Sequence, residues 1–275
     1  MSNDIYNFIL SIFSWNNIAD FFNSNFTAAL AGALAGALVA QRIGDRSKER
    51  ELLLQEIRST NTAIMGSFSI CNAMLILKKD SINSIYDAYE TRKAELKEYN
   101  RRRAAGELSS DIPFNIQAEF TRLQMPVVPI DVLRKQIYEN ISVGKRPLAL
   151  VAALDGTISF LADMIQQYHD LIELSKNLQG AKFASFYFGF PHGNELSSEF
   201  PDTIEALHKQ TNDVIFFSEL LGKDLMAHGA NILVQYGKVN KIKKEKIVSV
   251  DFADARAKGL MPDVSAYPDW FKIKP

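Results

Sequence analysis

The chain has 275 residues, 47% of them hydrophobic, so it holds enough apolar material for a sizeable core in one or two domains. Its 31 Lys and Arg against 32 Asp and Glu leave a net charge of −1, which excludes a global basic field, and no nucleic-acid partner is expected. The single cysteine, Cys71, excludes an intrachain disulfide and fits a body in a reducing compartment.

The first predicted element is an amphipathic helix. Ile5, Phe8, Ile9, Ile12 and Phe13 share one side, and Asp4, Asn7, Ser11 and Ser14 the other. Tyr6, Trp15 and Phe22 suit the headgroup region. This segment reads either as an interfacial helix or as a polar stripe at a pore mouth. A hairpin turning at Asn23-Ser24-Asn25 is a third reading.

The run from Phe26 to Ala40 follows, uncharged and built almost wholly of Ala, Gly and Leu. As a helix it rises about 22 Å, against a hydrocarbon core of ~30 Å. Bilayer thinning, snorkelling of Arg42 or oligomerisation accommodates a short span. An Ala-rich helix packed in a soluble oligomer is the competing reading. Met1 to Asn25 carries no Lys or Arg, whereas Arg42, Arg46, Lys48 and Arg50 follow the run. That asymmetry disfavours a signal peptide. It predicts a single-pass inner (plasma) membrane protein, N-terminus outside and body cytoplasmic.

On the helical wheel Leu30, Leu34 and Leu38 form one row, and Ala28, Gly32, Gly36 and Ala40 form another on roughly the opposite face. Gly32-xxx-Gly36 is the small-xxx-small spacing that admits close helix contact, so the lipid bilayer and further copies of the chain are the expected partners. Thr27 and Gln41 would be the polar ends of an apolar pore. The predicted domains are 1–43 (amphipathic segment and span) and 44–275 (cytoplasmic helical domain).

Three long helices are predicted in the body. Leu54, Ile57, Asn61, Ile64, Phe68, Cys71 and Leu75 form a coiled-coil-like seam with one polar position. Gly44 and Gly66 are candidate bends, and Arg101-Arg102-Arg103 with Gly106 ends the pattern. A second helix starts just after Pro147 and carries Val151, Leu154, Ile158, Leu161, Ile165, Tyr168 and Ile172, with Gly180 closing it. A third begins at Pro201-Asp202, with Glu205 completing a capping box, and its seam is interrupted by Thr211, Ser218 and His228. The expected fold is all-α: an amphipathic helix and one transmembrane helix, then an antiparallel bundle.

Between these helices, Met125 to Ile130 is extended and Asp131 caps a short helix through Ile141. Phe183 to Pro191 is expected to be irregular. Its Phe183, Phe186, Tyr187 and Phe188, with the neighbouring His192, form either a ligand or partner contact or an apolar plug on the bundle end. The aromatic tail Tyr267, Trp270 and Phe271 is expected to dock on the body. The basic cluster Lys238 to Lys246 reads as a solvated helix end or a contact for anionic lipid.

No enzyme signature is found, and no cofactor is expected. Gly144-Lys145 and Gly222-Lys223 have Glu139 and Phe217 where a P-loop needs its first Gly. His169, His192, His208 and His228 share no metal-ligand spacing. Cys71 has no adjacent base, and His169-Asp170 reads as a surface pair.

In plan, a span built on Ala28–Ala40 followed by a helical body, covering Phe26 to Arg103, resembles the small membrane effectors of bacterial antiphage defence systems. The resemblance is one of layout. It implies membrane permeabilisation controlled by a regulatory nucleotide or protein partner, and it assigns no role to individual residues. The function expected first is therefore a homo-oligomeric membrane effector forming a gated pore or ion leak. A membrane-anchored scaffold or sensor comes second, and a tethered enzyme third.

Overall fold

A computed structural model describes residues 25–109, 113–118, 120–191, 198–240 and 245–275. The regular structure of the described residues is all helical, with no strand among them. Helix α1 runs Asn25–Leu77, a π-helical turn occupies Lys78–Ile82, and α2 continues as Asn83–Ala104. Helix α3 (Ile130–Lys135) passes into a second π-helical turn, Gln136–Asn140. Helices α4 (Lys145–Ser175), α5 (Gly180–Phe188), α6 (Glu199–Val239) and α7 (Ala253–Ala257) follow. Two compact units are distinguished, Met1–Leu54 with Gln235–Lys243, and Gln55–Val234 with Lys244–Pro275.

Ala, Leu and long polar side chains favour helix throughout α1, and no proline interrupts it. Gly44 and Gly66 do not break it; the irregularity falls instead at Lys78–Ile82. Helix α2 ends where the basic run and Gly106 predict. Gly106 takes φ +74°, its N–H donates to the Arg103 carbonyl at 3.1 Å, and Glu107 N–H donates to that of Arg102 at 2.9 Å. These two bonds make a Schellman stop.

Several predicted boundaries shift. Pro129, not Asp131, precedes α3, and the Asp131 carboxylate instead accepts from Arg134 at 2.8 Å. Helix α4 begins at Lys145, because a proline is tolerated in a first turn whose N–H groups have no helical partner. Helix α6 begins at Glu199 ahead of Pro201. Asp202 N–H donates to the Ser198 carbonyl at 2.9 Å, so Ser198 rather than Asp202 opens it.

The expectation of an irregular Phe183–Pro191 is corrected: Gly180–Phe188 is helix α5. Gly180 opens it at φ +54° and Gly189 ends it at φ +73°. The segment lacks helical periodicity because Ser185, Phe186, Tyr187 and Phe188 are all buried, and consecutive buried residues surround a helix rather than marking one face.

Contacts fix the directions of the long helices. Glu56 meets His228, Ser67 meets Ser218, and Cys71 meets Ile215, so α6 runs antiparallel to α1. Arg146 meets Asp224 and Tyr168 meets Phe200, so α6 is antiparallel to α4 as well. Every residue of α6 from Val214 to Gly222 is buried, which makes it the central helix of the bundle. The α1 seam is consumed inside this one chain: Ile57, Ile64 and Cys71 are fully buried. Burial pushes the Cys71 thiol up to about 12, leaving it a small core residue.

Polar groups in the core find partners. Thr211 and Ser218 donate to the Leu207 and Val214 carbonyls of their own helix, each at 2.7 Å. Arg146 donates twice to Asp224, at 2.6 and 2.7 Å, with side chains 12% and 5% exposed. A buried pair that loses one partner leaves an uncompensated charge. Asp224→Ala should therefore lower unfolding free energy by about 3–5 kcal/mol, read as a fall in the urea midpoint at unchanged m-value.

Candidate functional site

From Ala29 to Leu52 every residue of α1 is exposed. Leu30, Leu34, Leu38, Val39 and Ile43 are 48–65% exposed, uncovered by the described residues. Fully burying one such side chain gains ~1.5–3 kcal/mol, so these five leave a substantial driving force unused. Among the described residues two helices, Ala29–Ala104 and Lys145–Ser175, are long and apolar enough to cross a membrane. The seam of α4 within Lys145–Ser175 fills the bundle core. In α1 five of the exposed large apolar residues cluster before Gly44, and Leu52, Met65 and Ile76 follow singly.

Helical geometry is present across this stretch, so the two rows lie where the wheel puts them. A Cβ added at Gly32 or Gly36 would meet no atom within 4 Å. Ala40 and Gln41 are exposed, and Thr27 and Ala28 belong to the helix by backbone. Beyond the apolar run Arg42, Asp45, Arg46, Lys48, Glu49, Arg50 and Glu51 are all exposed. Asp4, Asn7, Ser11, Ser14 and His192 lie outside the described residues.

Burial begins at Leu53, and polar side chains fasten α1 within the next two turns. The Glu56 carboxylate pairs with His228 at 3.0 Å and accepts from Ser142 N–H at 2.9 Å. Asn61, the polar seam position, donates to the Lys246 carbonyl and accepts from Val248 N–H, both at 2.9 Å. Its carboxamide thus grips an extended stretch of the C-terminal strap, residues 245–275.

The aromatic group is distributed differently from the expected contact surface. Phe186, Tyr187 and Phe188 are buried and pack with Phe200, Tyr89 and Phe114. Their faces are therefore taken by neighbouring rings, as the plug reading has it. Phe183 is half-buried at the edge of a shallow cleft with Phe120 and Ile172. The His169-Asp170 pair forms no dyad. His169 Nε2 accepts from Leu123 N–H at 3.2 Å, and Asp170 accepts from Gln166 at 2.9 Å.

A cleft of about 480 Å³ lies between the first π-helical turn, α6 and the strap. Lys78, Tyr86, His208, Asn212, Asp213 and Tyr267 are among its lining residues. Tyr86 stacks on His208 at 4.1 Å, and Tyr267 donates to Asp213 at 2.6 Å. Sequence reading missed this site, because its residues are far apart in the chain; the odd polar positions along α6 were the available signal. No group of three or more metal-ligating side chains occurs among the described residues. No family model, curated protein or solved structure matches the chain.

Burial, then the Lys78 ammonium, push His208 below its ordinary 6.5, while Asp87 opposes them. The unfolded chain then takes up this proton first as pH falls, so native stability drops below about pH 6.5. His208→Phe keeps a ring against Tyr86 and should flatten that part of the melting-temperature profile between pH 7 and pH 5. An identical profile in wild type and variant contradicts the assignment.

Proposed function

We propose that the protein is a homo-oligomeric membrane effector. Its α1 arms cross the bilayer and associate through Ala28, Gly32, Gly36 and Ala40, forming a pore or ion leak gated by the helical body. The N-terminus lies outside and the body in the cytoplasm, following the Lys and Arg that flank the run on one side. The observation that carries the reading is the unpartnered apolar stretch of α1, with Leu30, Leu34 and Leu38 in water and nothing near Gly32 or Gly36. Lipid satisfies the leucine row, and a second copy satisfies the small row. The body's seams are filled by its own helices, so the arm is the surface assigned here to assembly. The layout likeness to antiphage effectors supports a role in which membrane leakage is triggered by a partner or a small-molecule signal.

Gly32→Leu and Gly36→Leu are clean tests, because a Cβ added at either position meets no atom of the described residues within 4 Å. Both should abolish ion or dye leakage from expressing cells and reduce the oligomer seen by sedimentation in detergent, with the body's melting temperature unchanged. Variants that leak and sediment like the parent would overturn the pore. If an unrelated Leu-rich anchor replaced Phe26–Ala40 and full activity remained, the protein would be an anchored scaffold instead.

A further inference from the structure

Lys78 opens the first π-helical turn and lines the 480 Å³ cleft, yet it is only 5% exposed. Its ammonium donates to the Leu260 carbonyl at 2.7 Å, and no ion pair of the described residues includes it. One of its three N–H groups is thereby used. A buried cation without a counter-charge is costly to maintain, and π-turns interrupt helices frequently at functional sites.

A second unsatisfied group belongs to a residue of the same lining. Asn212 lines the cleft, and its Oδ1 is buried with no hydrogen-bond partner. The stacked Tyr86–His208 pair lines the same cleft, and the Lys78 charge adds to burial in pushing the imidazole below its ordinary value. Three carboxylates also line the cleft, Glu205, Asp213 and Asp263, and the two aspartates already accept hydrogen bonds. Asp213 accepts from Tyr267, and Asp263 accepts from the Ser265 N–H and hydroxyl. Glu205 and Lys209 are exposed and opposite in sign.

We propose that this cleft binds a small oxyanion, a phosphate monoester or a carboxylate, that also carries an O–H or N–H donor. The oxyanion sits on Lys78 and the donor on Asn212 Oδ1. The volume falls in the range of small-molecule sites, ~300–1,000 Å³. The inference stands apart from the membrane reading, since every lining residue belongs to the Gln55–Val234 and Lys244–Pro275 unit.

Glucose 6-phosphate and gluconate test it by calorimetry on the full-length chain in mild detergent. They offer the two oxyanions with hydroxyl donors, and glucose is the control without an anion. At least one of the two should bind saturably at millimolar concentration or below, and which one binds assigns the class. Lys78→Met and Asn212→Leu should each weaken that binding about tenfold or more. The His208 ring, followed by NMR, should titrate closer to its ordinary value in the complex, as the bound anion offsets the Lys78 charge. Should Lys78→Met fail to fold for want of its tie to Leu260, Asn212→Leu and the His208 signal still decide. No saturable binding of either probe, glucose binding as tightly as both, or binding unchanged in folded variants would overturn the proposal.

Discussion

Leu30, Leu34 and Leu38 find no cover among the described residues, and that constraint organises the rest of the molecule. A water-soluble helix hides one face and wets the other. Here a stretch that is apolar on every face is exposed from Ala29 to Ala40. Alanine and glycine hold the helix thin, and in the proposed reading its burial comes from hydrocarbon or from a copy of the same surface. Further along α1 the apolar residues change role: Ile57, Ile64 and Cys71 vanish into a core with α6. One helix therefore carries both an unfilled surface and a filled one, and the proposed activity follows from the unfilled part.

The body is built around α6. Its middle turns are buried on all sides, so polar groups there must be satisfied locally. Thr211 and Ser218 turn their hydroxyls back onto their own helix, and Asp224 is matched by Arg146. The C-terminal strap completes the enclosure. Tyr267 stacks on Phe216 at 3.8 Å, Trp270 packs near Phe217 at 4.9 Å, and Arg256 pairs with the buried Glu219. Asn61 and Lys78 hold strap backbone through Lys246, Val248 and Leu260. Side chains of the bundle thus grip main-chain groups of the strap, which orders a segment with little regular structure of its own.

Against this background the cleft at Lys78 stands out, because its polar groups are not all matched. Elsewhere in the body a buried charge meets an opposite charge. At Lys78 it meets a single carbonyl and a neutral ring, and Asn212 offers an acceptor that nothing in the described residues answers. Packing alone gives no reason to keep an ammonium and an empty carboxamide oxygen beside the same open volume.

Much of the architecture was legible in the sequence. The seams of α1, α4 and α6 follow three-four spacing, and the residues so identified are the ones that pack. The stop at Gly106 and the apolar run ahead of Arg42 were equally local, written in contiguous residues. Tertiary structure alone decided that α6 is central, that the aromatic segment is a helix, and that Lys78, Tyr86, Asn212 and Tyr267 share a cleft. The reason is physical: periodicity reports neighbours one turn away, while enclosure and clefts depend on segments far apart in the chain. A helix buried on every side loses the very alternation by which sequence announces it.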